Sequence, residues 1–231
     1  MKTIGLIGGM SWESSLEYYR LVNERVKERL GGFHSAECVL YSVDFADIER
    51  MQDRGDWDAA AHRLGRAALA LESAGADFAL LCTNTMHKVF DAIQGKIRIP
   101  LLHIAEVTAR EIRARGITRV GLLGTRFTME QEFYKGKLSS EYGIEVLVPD
   151  SAERDAVHAI IYNELCLGRV KPTSREIYGA VIHRLVREGA QGIILGCTEI
   201  PLLVSQKDFE IPLFDTTALH ARAAADLALL E

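Results

Sequence analysis

Four cysteines are all this 231-residue chain has, Cys38, Cys82, Cys166 and Cys197, and none stands in a CxxC or CxxH spacing. That excludes a structural zinc site and a disulfide framework, and no metal centre is expected. Basic runs are also missing, and the formal net charge is −5. A nucleic-acid partner is therefore excluded, because phosphate binding needs clustered Lys and Arg. No apolar stretch reaches membrane-spanning length, and Met1-Lys2 leads straight into a strand-like run without the apolar core of a secretion signal. The expectation is a cytoplasmic protein without a membrane partner. Low-complexity segments and long flexible linkers are absent as well. Gly8-Gly9-Met10-Ser11 has neither GxGxxG spacing nor a GK[ST] ending, so it is no dinucleotide fingerprint and no P-loop. Its glycines would still let the backbone approach a small anion closely.

What is present is an α/β pattern. Apolar residues make up 48% and charged residues 26%, an ordinary balance for a globular enzyme with a sizeable core. Short β-rich runs alternate with helical patterns: Thr3 to Ile7, Glu37 to Val43, Phe78 to Cys82, Leu101 to Ile104, Arg119 to Leu123, Glu145 to Val148 and Gly192 to Leu195. Such alternation predicts parallel βαβ units. Ser14-x-x-Glu17 reads as a capping box, with Tyr18, Val22, Val26 and Leu30 forming the buried stripe and Gly31-Gly32 ending the helix. Arg20, Glu24, Lys27 and Glu28 then fall on the solvated side. Strands buried on both faces read as unbroken apolar runs, so Phe78 to Leu81 and Ile193 to Leu195 are predicted to be central.

The chain also repeats itself. Gly75-Ala76-Asp77-Phe78-Ala79-Leu80-Leu81-Cys82-Thr83-Asn84-Thr85 aligns without a gap on Gly189-Ala190-Gln191-Gly192-Ile193-Ile194-Leu195-Gly196-Cys197-Thr198-Glu199, at an offset of 114. Gly5-Leu6-Ile7-Gly8 matches Gly121-Leu122-Leu123-Gly124 at 116, and Ile99-Pro100-Leu101-Leu102 matches Ile211-Pro212-Leu213-Phe214 at 112. Three segments in common order predict two pseudo-symmetric three-layer lobes with mostly parallel sheets and the active site in the cleft between them. The expected boundaries are residues 1–100 plus 212–231 for the first lobe and 101–211 for the second, with the C-terminal helix from Ala218 onward on the first. Ligands of open α/β sheets collect beyond the carboxyl ends of the strands, where Thr83 and Cys197 stand.

Cys197 is the leading candidate for chemistry. It follows Gly196 at a strand end and precedes a predicted helix or turn, whose free N–H groups would lower the thiol pKa. A lone cysteine is more commonly a small buried hydrophobe, but this one sits beside Thr198 and Glu199 at a duplicated strand tip. Cys82 aligns with Gly196, and strand alternation turns it away from whatever Thr83 faces, so it reads as structural. Thr83-Asn84-Thr85 offers hydroxyls, an amide and N–H groups to a carboxylate, or caps the helix after it. Arg126, in the second lobe's counterpart of the glycine segment, reads as a surface or structural arginine before a carboxylate clamp. His87 and His103 read as packed or capping histidines.

At these residues the chain resembles the cofactor-independent aspartate/glutamate racemase family. The matching pieces are Gly5-Leu6-Ile7-Gly8-Gly9-Met10-Ser11, Cys82-Thr83-Asn84-Thr85-Met86-His87 and Leu195-Gly196-Cys197-Thr198-Glu199-Ile200, and the likeness runs over essentially the whole chain. It is closer to the aspartate racemase branch, because Met10 and Glu199 occupy the places where wall-synthesis glutamate racemases carry an acidic residue and a histidine. The resemblance implies racemisation without pyridoxal phosphate or any other cofactor, by two cysteines on opposite faces of the α-carbon. Here the first of that pair falls on Thr83. Cys197 corresponds to the cysteine that deprotonates the L-enantiomer, so faster turnover of L-substrates is expected.

Position in the family implies further roles: Glu199 to tune or reprotonate Cys197, Thr198 with Thr83, Asn84 and Thr85 to hold the α-carboxylate, Gln52 with Met10 to line the side-chain pocket. Arg50, Arg126, Arg169 and Lys171 are candidates for binding a side-chain carboxylate. The implied partners are a small amino-acid substrate and a second copy in a homodimer. Two rival readings stay open: a single-cysteine decarboxylase of the arylmalonate type, and an amino-acid binding protein that has lost its chemistry.

Overall fold

The computed structural model describes residues 1–230 and contains two four-stranded sheets whose strand pairs are all parallel. The first comprises β1 (Ile4–Gly8), β2 (Cys38–Ser42), β3 (Phe78–Leu81) and β4 (Leu101–Leu102), in the order β2-β1-β3-β4. The second comprises β5 (Arg119–Gly124), β6 (Glu145–Leu147), β7 (Ile193–Gly196) and β8 (Leu213–Asp215), in the order β6-β5-β7-β8. As expected, β3 and β7 are interior strands, buried at every residue.

The sequence repeat is reproduced in strand register. Gly5 pairs with Ala79 in the first sheet, and their repeat equivalents Gly121 and Ile193 pair in the second. Ala79 pairs with Leu101, and Ile193 with Leu213. β8 is thus the twin of β4. Periodicity alone misses it, because three residues are too few to show alternation, but the repeat of Ile-Pro-Leu contains it.

By contacts the chain divides into two compact units, Met1–Ile104 with His220–Glu231, and Ala105–Leu219. These bounds lie just C-terminal to 100 and 211, because β4 joins the sheet of β3 and β8 the sheet of β7 before the chain leaves each unit.

In the first unit, α1 (Trp12–Leu30) packs on one face of the sheet and α2 (Phe45–Asp53), α3 (Trp57–Ser73) and α4 (Phe90–Gln94) on the other. Strand alternation sorts the side chains: Ile4, Leu6, Phe78, Leu80 and Cys82 join Tyr18, Val22 and Val26, while Ile7, Ala79 and Leu81 join Leu64, Ala68 and Leu71. Each large side chain so buried contributes about 1.5–3 kcal/mol. α1 starts one residue after Ser11, whose hydroxyl accepts from the Ser14 amide at 3.3 Å, so Ser11 is the cap and the expected Ser14–Glu17 box is not. Leu30 is 47% exposed instead of buried. A 19-residue helix is roughly 28 Å long and a five-residue strand about 17 Å, so the last turn of α1 overhangs the sheet.

The second unit runs through α5 (Ile104–Ala114), α6 (Arg126–Glu130), α7 (Glu132–Tyr142), α8 (Ser151–Asn163) and α9 (Pro172–Arg187). Its core buries Val120, Leu122, Ile193 and Ile194 together with Tyr134, Leu138, Tyr178, Val181 and Ile182. α10 (Thr216–Ala228) comes after β8, and its Ala221, Ala224, Ala225 and Ala228 join the cluster of Tyr18, Val22 and Val26, as expected for the C-terminal helix. No helix among the described residues is long and apolar enough to cross a membrane.

Candidate functional site

β3 and β7 end in equivalent ways. Leu81, the last residue of β3, pairs with Ile7 as its repeat equivalent Leu195 pairs with Leu123, and β7 runs one residue further to Gly196; in that register Thr83 and Cys197 occupy matching positions just past the carboxyl ends of their strands. Each is 7% exposed. Cys82 is fully buried among Leu6, Leu80, Tyr18 and Ala221, and burial raises its thiol pKa.

Cys197 Sγ donates to Glu199 Oε2 at 2.9 Å, and Thr198 Oγ1 donates to the same oxygen at 2.7 Å. Both neighbours are buried, Glu199 at 3% exposure. The direction of the thiol's pKa reverses the expectation from a helix end: burial first, then the Glu199 carboxylate, push it well above the ordinary value. The physical reason is the local fold. Beyond Glu199 the chain forms only a short 3₁₀ turn, Ile200–Leu202, too small a dipole to offset the desolvation of a charge. Cys197 therefore rests as a thiol. Tyr178 of α9, whose hydroxyl donates to the Val157 carbonyl at 3.3 Å, is buried nearby. Burial and then Cys197 raise its pKa, a neighbour that sequence spacing does not reveal.

On the first sheet, the Thr83 N–H donates to Leu81 O at 2.8 Å and the chain turns into a 3₁₀ segment, Thr85–Val89. Asn84 precedes that segment, and its side chain makes no capping bond to it. Gln52 Nε2 donates to Met86 Sδ at 3.0 Å, and Met10 shares a core cluster with Met86. The first unit thus gathers Met10, Gln52 and the Thr83–Thr85 segment, and the second gathers Cys197, Thr198 and Glu199.

The candidate cations fare less well. Arg126 is half exposed and bonded to Asp155 at 2.8 Å, Arg50 pairs with Asp47, and Lys171 reaches Glu164 at 3.1 Å. Arg169 is exposed. The glycines of the first loop serve packing. Gly9 has φ +89°, and a Cβ there would run into the backbone of Val43, whose N–H donates to Gly8 O at 3.0 Å; Ser15 Oγ accepts from the Gly9 N–H at 2.7 Å. Gly9 is thus needed for the close approach of the chain after β2, a role that the sequence motif does not reveal.

The Asp/Glu/hydantoin racemase family matches residues 7–224. The chain is similar to a candidate Asp/Glu racemase of Yersinia pestis, 57% identical over the whole of both chains with a TM-score of 0.93. It is likewise similar to an aspartate racemase homologue of Pyrococcus horikoshii, 38% identical over 99% of both chains, TM-score 0.85. A broad-specificity amino-acid racemase of Bacillus subtilis is 26% identical over 98% of both chains. The chain belongs to the Asp/Glu/hydantoin racemase family. It is accordingly an isomerase of the amino-acid racemase type, as the motifs led one to expect.

Proposed function

We propose that this racemase inverts the α-carbon of an acidic amino acid, aspartate or glutamate, with Cys197 as the base toward the L-enantiomer and proton return from the Thr83 side. The observation that carries the reading is a buried thiol already donating to a buried carboxylate, at the strand position that the repeat gives to Thr83. A thiol with a raised pKa is a poor base until its proton moves. Glu199, 2.9 Å away along an existing hydrogen bond, is the group that takes it.

The thiolate then removes the α-proton, the C–H electron pair delocalises into the substrate carboxyl group, and the opposite face takes a proton from the Thr83 hydroxyl. Solvent refills that hydroxyl. Thr198, Asn84 and Thr85 hold the α-carboxylate, and Met10 with Gln52 lines the side-chain pocket. Enantiomers have equal free energies in water, so the preference for L is kinetic: a threonine hydroxyl donates a proton far more readily than it removes one at neutral pH. A cofactor-free, cytoplasmic homodimer belongs to the same reading.

The test is incubation of the purified protein, without added cofactor, with L- and D-aspartate and glutamate in deuterium oxide. α-Proton loss is followed by NMR and inversion by chiral chromatography, with Cys197→Ala and Cys82→Ala alongside. Exchange and inversion from the L side, lost in Cys197→Ala alone, are expected. Absence of exchange with every amino acid tried, or release of carbon dioxide from a malonate instead, overturns the reading.

A further inference from the structure

Behind Thr83 lies a cluster the reaction does not use. His87, His103 and His220 are each at most 6% exposed, and their rings meet: His87 to His103 at 4.6 Å and His87 to His220 at 6.0 Å between centroids. Phe90 stacks on His87 at 5.7 Å and an interplanar angle of 15°.

The hydrogen bonds of His87 define its state. The Ile104 N–H points at Nε2, 3.1 Å away, and Nδ1 lies 2.8 Å from the carbonyl oxygen of Thr83. A backbone N–H only donates and a carbonyl only accepts. The ring is therefore neutral, with its proton on Nδ1. Burial is the first cause, and the two neighbouring histidines the next, that lower its pKa well below the usual range and keep it so.

Thr83 stands two residues beyond the end of β3, past the ladder that fixes a strand. Its carbonyl is held by the imidazole, and the imidazole is held by the first amide of α5 and the face of Phe90. Resting on the racemase reading above, we propose that His87 is the positioning residue of Thr83: its Nδ1–H, clamped between the Ile104 amide and Phe90, fixes the Thr83 backbone so that the hydroxyl can return a proton to the substrate. His87 touches no reacting atom. Its contribution is confined to one face of the α-carbon, since Cys197 is placed by a different sheet.

That confinement makes the idea testable. With L-substrate in deuterium oxide, Cys197 alone produces α-deuteration with retention, whereas inversion needs the Thr83 side. The quantity to measure is the ratio of inversion to total α-proton exchange. His87→Phe keeps the ring's shape and loses the donor; His87→Gln places its amide near Nε2; His87→Asn places one near Nδ1. The ratio is expected to fall about tenfold in His87→Phe and His87→Gln and to recover to within about threefold of the wild type in His87→Asn. Exchange and inversion falling together, or a ratio unchanged in His87→Phe, overturns the inference and leaves the racemase reading standing. No exchange in the wild type sinks both. A second measurement needs no variant: ¹⁵N NMR of the wild-type imidazoles must show His87 neutral and protonated at Nδ1, and the opposite tautomer defeats the proposal.

Discussion

Cys197 Sγ lies 2.9 Å from Glu199 Oε2, thiol donating to carboxylate, with both side chains less than a tenth exposed. The contact gives Glu199 two opposing effects. Its charge and hydrogen bond hold the thiol proton in place, and the same oxygen is where that proton can go. Glu199→Gln is therefore expected to lower the Cys197 pKa and still slow L-substrate exchange at least tenfold. The check pairs a pH profile of iodoacetamide alkylation with the exchange rate; a thiol pKa that stays put in Glu199→Gln contradicts the coupling.

Thr83 is the counterpart of Cys197 in strand register, but its hydroxyl is a weak base. Thr83→Cys should raise α-proton exchange from D-substrates at least tenfold, with a much smaller effect from the L side. Comparing the two initial rates in deuterium oxide tests this, and a D-rate that does not move separates Thr83 from the reacting centre.

Gly9 has a positive φ and no room for a Cβ against the Val43 backbone. Gly9→Ala should destabilise the fold by more than about 2 kcal/mol through strain and displacement of the chain after β2. Urea unfolding gives the value, and Gly31→Ala, at φ +71° with open space around it, should cost visibly less.

Burial lowers the His220 pKa from 6.5 to about 4, and His87 moves the same way. Between those limits the unfolded chain binds protons that the folded chain does not, so stability present above pH 6.5 is lost as pH falls toward 4. For His220 the shift corresponds to on the order of 3 kcal/mol. Thermal melts from pH 7.5 to 4.5 should show this decline. His220→Gln, which keeps a donor for the Leu102 carbonyl that Nε2 meets at 3.0 Å, should flatten it.

Much of this protein was legible in its sequence because the relevant forces are local or repeated. Continuous apolar runs mark Phe78–Leu81 and Ile193–Leu195 as interior strands, since only a strand covered on both faces tolerates them. The repeat of Gly75–Thr85 in Gly189–Glu199 determines that Thr83 and Cys197 take one structural position in two sheets.

Other features were decided by tertiary structure. The Cys197 thiol pKa is pushed up, against the sequence expectation, because desolvation depends on everything packed around the residue and not on the turn next to it in the chain. Tyr178 comes near Cys197 only through the packing of α9, and Gly9 is needed because Val43 passes close by. The His87–His103–His220 cluster joins residues up to 133 positions apart in the chain. Besides the Tyr18 hydroxyl on His220 Nδ1, their partners include backbone groups of Thr83, Leu102 and Ile104, which every residue carries and no side-chain pattern can announce.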